Sequence, residues 1–558
     1  MRKISNLALS LALCCLCSCG KDFLNEKPLD FLSSENAFVT YSDFNASIYN
    51  LYDLVRREFY NSGERRPFDY MYGTDLVYDG QPSVERHTNM AAAYAPTGNL
   101  DIPLNHWTAL YKIVSEANTV ISRIPGSSMT DDEKTLTEAR AKFFRGLAYR
   151  TLVYLYGGVP LTLEEVTVPR TDYTRASREE VLAQVIGDLK FSAEHLPAIT
   201  VVQDGEISNL AALHLLSEVY VAAKQYKDAV DAATAVIGNS AVHLMRDRFG
   251  AKANTNPGDV YFDLFQQGNQ NRKSGNMEGI WVIQFETDVL GGGSLSTGTS
   301  GSYQLERNFA PQFLNLRVTG GGSVSPILYP VSDLSGGRGI GWAISSTYFS
   351  DSIWQSDFNN DIRNANHNFV RDFVATNPAS PLYGQTISTK NPPPGVTVPN
   401  RYLYAFQSKI TTPGDHPDNL FSDASRLLLK STAGGTYADQ YMFRLAETYL
   451  IRAEAYLGLN DPGNAAKDIN AVRERANASL ADPGDVTIDY ILDERMRELG
   501  VEEKRRLTLM RLGKWYERVK RCNPYYSDAL PTYNLWPIPA AEIERNANGH
   551  LEQNLGYD

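Results

Sequence analysis

Two stretches of this 558-residue sequence concentrate side chains able to grip a ligand without reacting with it. Between Arg65 and Asn105 stand Tyr70, Tyr72, Tyr78, Asp79, Gln81, Arg86, His87, Asn89, Tyr94 and Asn99. Further on come Tyr303, Arg307, Tyr329, Arg338, Trp342, Tyr348 and Trp354. Flat aromatic rings beside Arg, Asn, Asp and Gln suit a ligand with an apolar face and a hydroxyl edge, which describes a sugar ring. On composition, the residues expected at such a surface are Tyr78, Arg86, Tyr94, Asn99, Trp342, Tyr348 and Trp354. The total of 32 Tyr, with 22 Phe and 6 Trp, is high enough to serve both a core and a binding face.

Patterns for bond-breaking chemistry are weak. Glycoside hydrolysis needs two carboxylates about 5 to 10 Å apart in a cleft. The acids here stand in no recognisable catalytic setting, and most lie on helix faces where solvated charge is expected. Of the 8 His, only His87 and His106 fall in or beside the first loop stretch, and no His-Glu-x-x-His occurs. The Gly-rich run from Gly291 to Gly301 lacks the Lys of a phosphate loop, so flexibility is its expected purpose. Asp357, Asn359 and Asp361 have the spacing of a calcium loop, but Ile362 replaces the turn Gly and the distal Glu is missing. No metal or other cofactor is expected.

The N-terminus places Arg2 and Lys3 before an apolar run from Leu7 to Leu16, the layout of a secretory leader. The run is shorter than the roughly 20 apolar residues of a membrane span. Leu16-Cys17-Ser18-Cys19 resembles a bacterial lipobox, which makes residues 1–18 the leader and Cys19 the lipidated residue. Cys17 is a poorer acceptor because bulky Leu16 would flank the cut. Gly20 in place of Asp carries no inner-membrane retention signal. Of 5 Cys, only Cys19 and Cys522 would then remain, too few for an internal disulfide or a cysteine-ligated zinc. Loss of Arg2 and Lys3 would take the net charge from −12 to −14. That acidic balance excludes broad nucleic-acid binding.

These side chains must be positioned by elements at both ends of the chain. Three- and four-residue apolar spacing predicts helices over 43–57, 107–123, 131–156, 178–195, 208–224 and 226–237. The pattern returns over 441–457, 463–477, 487–498 and 502–520. Tyr220 is followed by Ala229, Ala233 and Val236, and Tyr456 by Ala465, Ile469 and Val472 at the same offsets. Small residues at a helix crossing after an aromatic describe a tetratricopeptide-like hairpin. Residues 250–440 are rich in Gly, Pro, Ser and Asn, with strand-like runs such as Gly279 to Phe285. The reading is a mainly α fold whose tetratricopeptide-like helical repeats form a platform carrying a large loop-rich lobe with short strands. Its expected parts are a tether over 19–34, an N-terminal helical part over 35–249 with ligand-side loops at 65–105, the lobe over 250–440, and C-terminal repeats over 441–558. Residues 35–558 are expected to fold as one unit.

A family resemblance spans nearly the whole chain. The lipobox followed by Asp22-Phe23-Leu24-Asn25-Glu26-Lys27-Pro28 resembles the opening of SusD/RagB outer-membrane lipoproteins. So do Trp107…Tyr111…Ala117-Asn118 and Arg145-Gly146-Leu147-Ala148-Tyr149…Tyr156-Gly157-Gly158-Val159-Pro160. The most diagnostic run is Arg444-Leu445-Ala446-Glu447-Thr448-Tyr449-Leu450-Ile451-Arg452-Ala453-Glu454-Ala455. Asn470 to Ala476, Glu494 to Leu499, and Trp536-Pro537-Ile538-Pro539…Asn554-Leu555-Gly556-Tyr557 follow in the family's order. One departure is Glu503 to Leu509, where the family has Gly-x-Arg-Trp-x-Asp-Leu. The motifs mark repeat packing and do not name a ligand.

The resemblance implies a lipid-anchored, non-enzymatic protein on the outer face of the outer membrane. It implies capture of oligosaccharides for a SusC-like TonB-dependent outer-membrane barrel, with membrane lipid reached through Cys19. Two alternatives stay open: a RagB-like peptide-binding version of the fold, and a repeat scaffold with no small ligand.

Overall fold

Three N-terminal helices begin with the same device. Thr40, Thr130 and Ser177 cap them through the side-chain oxygen, and Asp43, Glu133 and Glu180 return a bond to the cap backbone. These reciprocal bonds satisfy N–H groups that have no partner within the helix. The computed structural model describes residues 38–60, 65–81, 88–97, 101–287, 289 and 303–557. The leader, Cys19, the tether, Arg86, Asn99 and the Gly291 to Gly301 run lie outside the described residues.

The longer N-terminal helices are α1 (Tyr41–Phe59), α2 (Ile102–Arg123), α3 (Asp131–Tyr156), α4 (Arg178–His195), α5 (Asn209–Ala222) and α6 (Tyr226–Ile237). The α1 stripe of Phe44, Ile48, Leu51, Val55 and Phe59 packs on α2 and α3. From Phe143 to Tyr156 every residue of α3 is buried, because α1, α2 and α4 surround it. Arg145 crosses from α3 to α4, donating through Nε and Nη2 to the Asp188 carboxylate at 2.8 Å each.

The C-terminal part contains α7 (Leu445–Gly458), α8 (Pro462–Arg475), α9 (Ile488–Glu498), α10 (Arg505–Arg511) and α11 (Trp515–Cys522). The hairpins α5–α6 and α7–α8 share their turn as well as their spacing. Lys224 and Asn460, each four residues after the aromatic, adopt φ of 59° and 58°. Gln225 then donates to the Tyr220 carbonyl and Asp461 to the Tyr456 carbonyl, both at 2.9 Å. Ala229, Ala233, Val236, Ala465, Ile469 and Val472 are fully buried. The two hairpins stack directly through α6 and α7. A Cβ on Gly458 would stand 2.5 Å from the Tyr226 ring, so this crossing requires glycine.

Short antiparallel strands pair across the lobe: β1 (Val77–Asp79) with β3 (Ala343–Ser345), and β2 (Gly279–Ile283) with β10 (Gln440–Arg444). Smaller ladders join β4 (Phe369–Val370) to β7 (Phe406–Gln407), β5 (Asp372–Val374) to β6 (Thr386–Ser388), and β8 (Phe421–Asp423) to β9 (Leu428–Leu429). One apolar cluster runs from Phe44 through Phe309 and Trp354 to Tyr557, joining both helical parts to the lobe.

Two helix expectations are corrected. Tyr441 to Arg444 form strand β10, because Gly279 to Ile283 offer a partner edge, and α7 starts only at Leu445. The expected helix over 502–520 is split into α10 and α11 by Gly513, whose φ of +64° cannot continue a helix.

Several acids expected on solvated helix faces lie instead in the interior, paired with arginines. Arg444 reaches Glu278 at 2.5 Å, Glu498 at 2.6 Å and Glu502 at 3.0 Å. Arg363 binds Glu494 at 2.7 Å and Glu498 at 3.1 Å, and Arg475 pairs with Glu278 at 3.0 Å and with Glu498. Such groups are costly to desolvate and persist only when each is matched. Even the departing segment makes a buried contact. Arg505 donates to both Asp75 oxygens at 2.8 and 2.7 Å, and Arg506 to the Asp69 and Tyr72 carbonyls at 3.0 and 2.6 Å.

Candidate functional site

The β1–β3 ladder is where the two ligand-like stretches of sequence meet. Tyr78 lies opposite Ile344 and Asp79 opposite Ala343, and Gly80 extends the ladder by donating to the Trp342 carbonyl at 2.7 Å. A C-terminal turn fixes the first stretch from behind. Asn523 donates to the Thr74 and Val77 carbonyls, while the Tyr526 hydroxyl accepts from Gly73 and Asp79 N–H at 3.1 and 3.2 Å.

Two of the expected residues meet here. Tyr78 is buried, its ring stacked on Tyr525 at 3.6 Å with 12° between planes. Tyr525 is 46% exposed, so it presents the outer face of the stack. Trp342, half-buried, has the Arg65 guanidinium 4.9 Å from its ring centroid and that of Arg307 at 5.6 Å. Arg65 also pairs with Asp79 and lies 5.1 Å from the Tyr72 ring. Burial pushes the Asp79 carboxyl up despite that pairing. Burial pulls the Arg65 guanidinium down, but the Tyr72 and Asp79 oxygens outweigh it and hold the group above its ordinary value. Burial and the neighbouring Tyr525 hydroxyl push the Tyr78 phenol up. Among the described residues, Arg65 Nε and Nη1, Arg338 Nη1 and the Trp342 indole N–H make no hydrogen bond. The ladder thus presents the Tyr525 ring for stacking and sets guanidiniums beside the half-buried Trp342 ring.

Three expected residues lie elsewhere. Trp354 is a core residue at 1% exposure, its indole donating to the Phe349 carbonyl at 3.1 Å and its ring packed edge-on to Phe369. Tyr94 is buried between Tyr533 and Trp536 under the Arg506 guanidinium. The Tyr348 hydroxyl donates to Asp493 on α9 at 2.7 Å. A lobe with so little sheet takes its core from loop aromatics, and residue type alone does not separate those from a binding surface. The calcium spacing builds no cage. Asp357 accepts from Arg473 at 2.6 Å and from the Ser479 hydroxyl at 2.7 Å, Asp361 pairs with Arg363 at 2.6 Å, and Asn359 is exposed. His106 is fully buried between Glu58 and Asp69, a structural position.

Sequence reasoning missed Arg65 and Tyr525. Arg65 only marked the edge of the first stretch. The signal for Tyr525 was the Asn523-Pro524-Tyr525-Tyr526 turn, which displays aromatics outside any helix.

A separate cavity of about 410 Å³ opens beside α2, lined by Trp107, Tyr111, Tyr173, Arg170, Glu542 and Asn546 among others. Its polar groups already serve one another. Tyr111 donates to the Pro160 carbonyl at 2.7 Å, Arg170 to Asp172 at 3.0 Å, and Asn546 to the Tyr173 carbonyl at 2.7 Å. The Trp342 face, which carries the exposed Tyr525 ring and a half-buried indole beside two guanidiniums, is the better candidate.

The family model described as "SusD family" matches residues 277–557, and that described as "Starch-binding associating with outer membrane" matches residues 22–221. A SusD-like protein of Formosa agariphila is 23% identical over 585 aligned positions, covering 98% of this chain and 97% of that protein. A laminarin-binding SusD-like protein of known structure superposes with a TM-score of 0.67 at 21% identity, covering 93% of this chain and all of that one. Surface glycan-binding protein A from Bacteroides thetaiotaomicron, solved in complex with laminarihexaose, gives 0.65 at 19% identity, with 92% and 100% coverage.

Proposed function

The chain belongs to the SusD family, and from that premise we propose that it is a surface glycan-binding lipoprotein that captures oligosaccharides and passes them to a TonB-dependent outer-membrane barrel. The observation that carries this reading is the Trp342 face, where exposed Tyr525 backed by Tyr78 and half-buried Trp342 beside Arg65 place rings for stacking along one ladder. The relatives that bind laminarin and laminarihexaose support a glycan as the ligand.

Capture without hydrolysis is the second element of the proposal. Glu278, Glu494 and Glu498 are held between arginines in the interior and do not stand free across a cleft. Anchoring through acylated Cys19, exposure on the outer face of the outer membrane, and folding of residues 35–558 as one unit complete it.

The chain from Gly20 to Asp558 contains every described residue and is the material to test. On a glycan panel and a peptide panel, retention by glycans with no released product is the expected result. Binding to peptides alone, or release of shortened sugar, would overturn the reading. Hand-over predicts that the acylated chain copurifies with a large TonB-dependent barrel, and that Cys19→Ala removes the chain from the membrane fraction.

A further inference from the structure

We propose that the cavity beside α2 is a second oligosaccharide-binding site, one that takes an uncharged glycan independently of the Trp342 face. The class of ligand rests on the glycan reading above.

Two walls of different periodicity build the cavity. On α2, Thr108, Tyr111 and Ser115 follow one another at three- and four-residue steps along one face, about 10 Å from end to end. Facing them, every second residue from Pro160 to Val166 lines the space. That run is tied from behind. Thr162 N–H donates to the Tyr149 hydroxyl at 2.7 Å, Asn118 donates to the Thr162 carbonyl at 2.9 Å, and Glu165 N–H donates to Ser122 Oγ at 3.1 Å. Both walls are thus in place before a ligand arrives, which lowers the ordering cost of binding. Its volume of about 410 Å³ lies in the range of about 300 to 1,000 Å³ found for small-molecule sites.

The polar groups left open here reach solvent. Thr108, Ser115 and Glu164 are exposed, and among the described residues their side chains make no hydrogen bond or ion pair. Between Thr108 and Ser115 lies the half-buried Tyr111 ring, held still by its bond to the Pro160 carbonyl. Half-buried Tyr173 and Val166, which is 46% exposed, add apolar surface. Two hydroxyls and a carboxylate around rings match the hydroxyl edge and apolar face of a sugar.

Charge narrows the choice to an uncharged one. Of the ionised residues lining the cavity, Arg170 pairs with Asp172 at 3.0 Å and Arg545 with Glu542 at 2.6 Å, which leaves Glu164. The next charges outward are matched as well, Arg123 by Glu165 at 2.6 Å and Arg175 by the neighbouring Glu552. No cation is left over, so an acidic sugar meets repulsion from Glu164 and gains no partner for its lost hydration. Attraction of a cation to one exposed carboxylate is small. A peptide finds no free strand edge along a run tied from behind. An uncharged glycan meets none of these obstacles, and Glu164 can accept two of its hydroxyls. A chain long enough to reach both sites would be held more tightly than either site holds it alone.

Calorimetric titration of the Gly20 to Asp558 chain with laminarihexaose, cellohexaose, maltohexaose and xylohexaose tests the proposal. At least one of them should fill two sites per chain, and Trp342→Ala should leave one. In the Trp342→Ala chain, Glu164→Ala should weaken the remaining site about 5- to 10-fold. Ser115→Trp, which places a bulky ring in the cleft, should abolish that site. Both positions are exposed, so circular dichroism and unfolding temperature should stay unchanged. One site per unaltered chain, none in the Trp342→Ala chain, or residual binding that neither further substitution moves overturns the proposal and leaves the glycan reading intact. So does failure of all four sugars to bind a chain that the glycan panel retains. A peptide whose binding is lost with Ser115→Trp makes the cavity a peptide site and overturns the proposal. A chain retained by no glycan overturns both readings.

Discussion

Arg444 and Arg338 carry the same guanidinium into opposite surroundings. Arg444 lies at the platform–lobe junction among Glu278, Glu498 and Glu502, every one within 3.0 Å. Arg338, at the rim of the lobe, keeps a nitrogen without a partner. The same division separates two tryptophans, since Trp354 bonds a carbonyl inside the core while the Trp342 indole N–H makes no bond. Arg444 and Trp354 are buried and hold the fold, while Arg338 and Trp342 are half-buried at the edge of the lobe.

The sharpest way to break this contrast is to truncate both arginines. Arg444→Met should cost roughly 3 to 5 kcal/mol in urea unfolding, because buried Glu278 and Glu498 and half-buried Glu502 lose their shared cation. Arg338→Gln should cost less than about 1 kcal/mol. Equal costs would erase the distinction.

The tryptophans give a second test of nearly the same size. Trp354→Ala should lose about 3 to 5 kcal/mol of stability through the cavity it leaves. Trp342→Ala should lose about 1 to 2 kcal/mol of stability, yet about 10-fold or more in glycan affinity. A Trp342 variant that binds normally would remove the site from this face.

Acid should attack the paired region selectively. Burial pushes the Asp75 and Glu494 carboxyls up, but the adjoining guanidiniums prevail and hold each at about 2. Because these folded values lie below those of the unfolded chain, their contribution is complete above about pH 4.5. It fades as pH falls toward 2, at roughly 2 to 3 kcal/mol from each. Urea midpoints measured from pH 7 down to 2.5 should drop over that window. A flat profile would mean that the pairs contribute nothing.

The smallest effect concerns the stack. Tyr525→Ala should change stability by less than about 1 kcal/mol and weaken glycan binding about 3- to 5-fold, because Tyr78 is left as a recessed platform.

Helices were legible where local chemistry set both ends. Thr130 with Glu133 opens α3 and Gly157 closes it, so its bounds follow from residue types. Tyr441 to Arg444 misled because apolar spacing continues into α7, while the partner that makes them a strand lies far away at Gly279 to Ile283. The motif arginines and glutamates were readable as a family mark but not as buried, since only the three-dimensional pairing shows where Glu278 meets Arg475. At the candidate site, sequence supplied Tyr78 and Trp342. It could not tell them from Trp354 or Tyr94, whose burial depends on long-range neighbours such as Phe369 and Trp536. Tyr525 became visible only when the C-terminal turn was seen to reach β1.

The β2–β10 ladder closes the lobe where the chain enters and leaves it, and Glu278 bolts that neck to Arg444 and Arg475. The 156 residues between Ile283 and Gln440 therefore begin and end at one fixed doorway. Changing the length of such a segment adds only a logarithmic closure cost, about 0.6 kcal/mol for each doubling. Outer loops of the lobe can therefore change in length and composition, while residues such as Trp354 and Arg363 that pack into the shared core stay fixed.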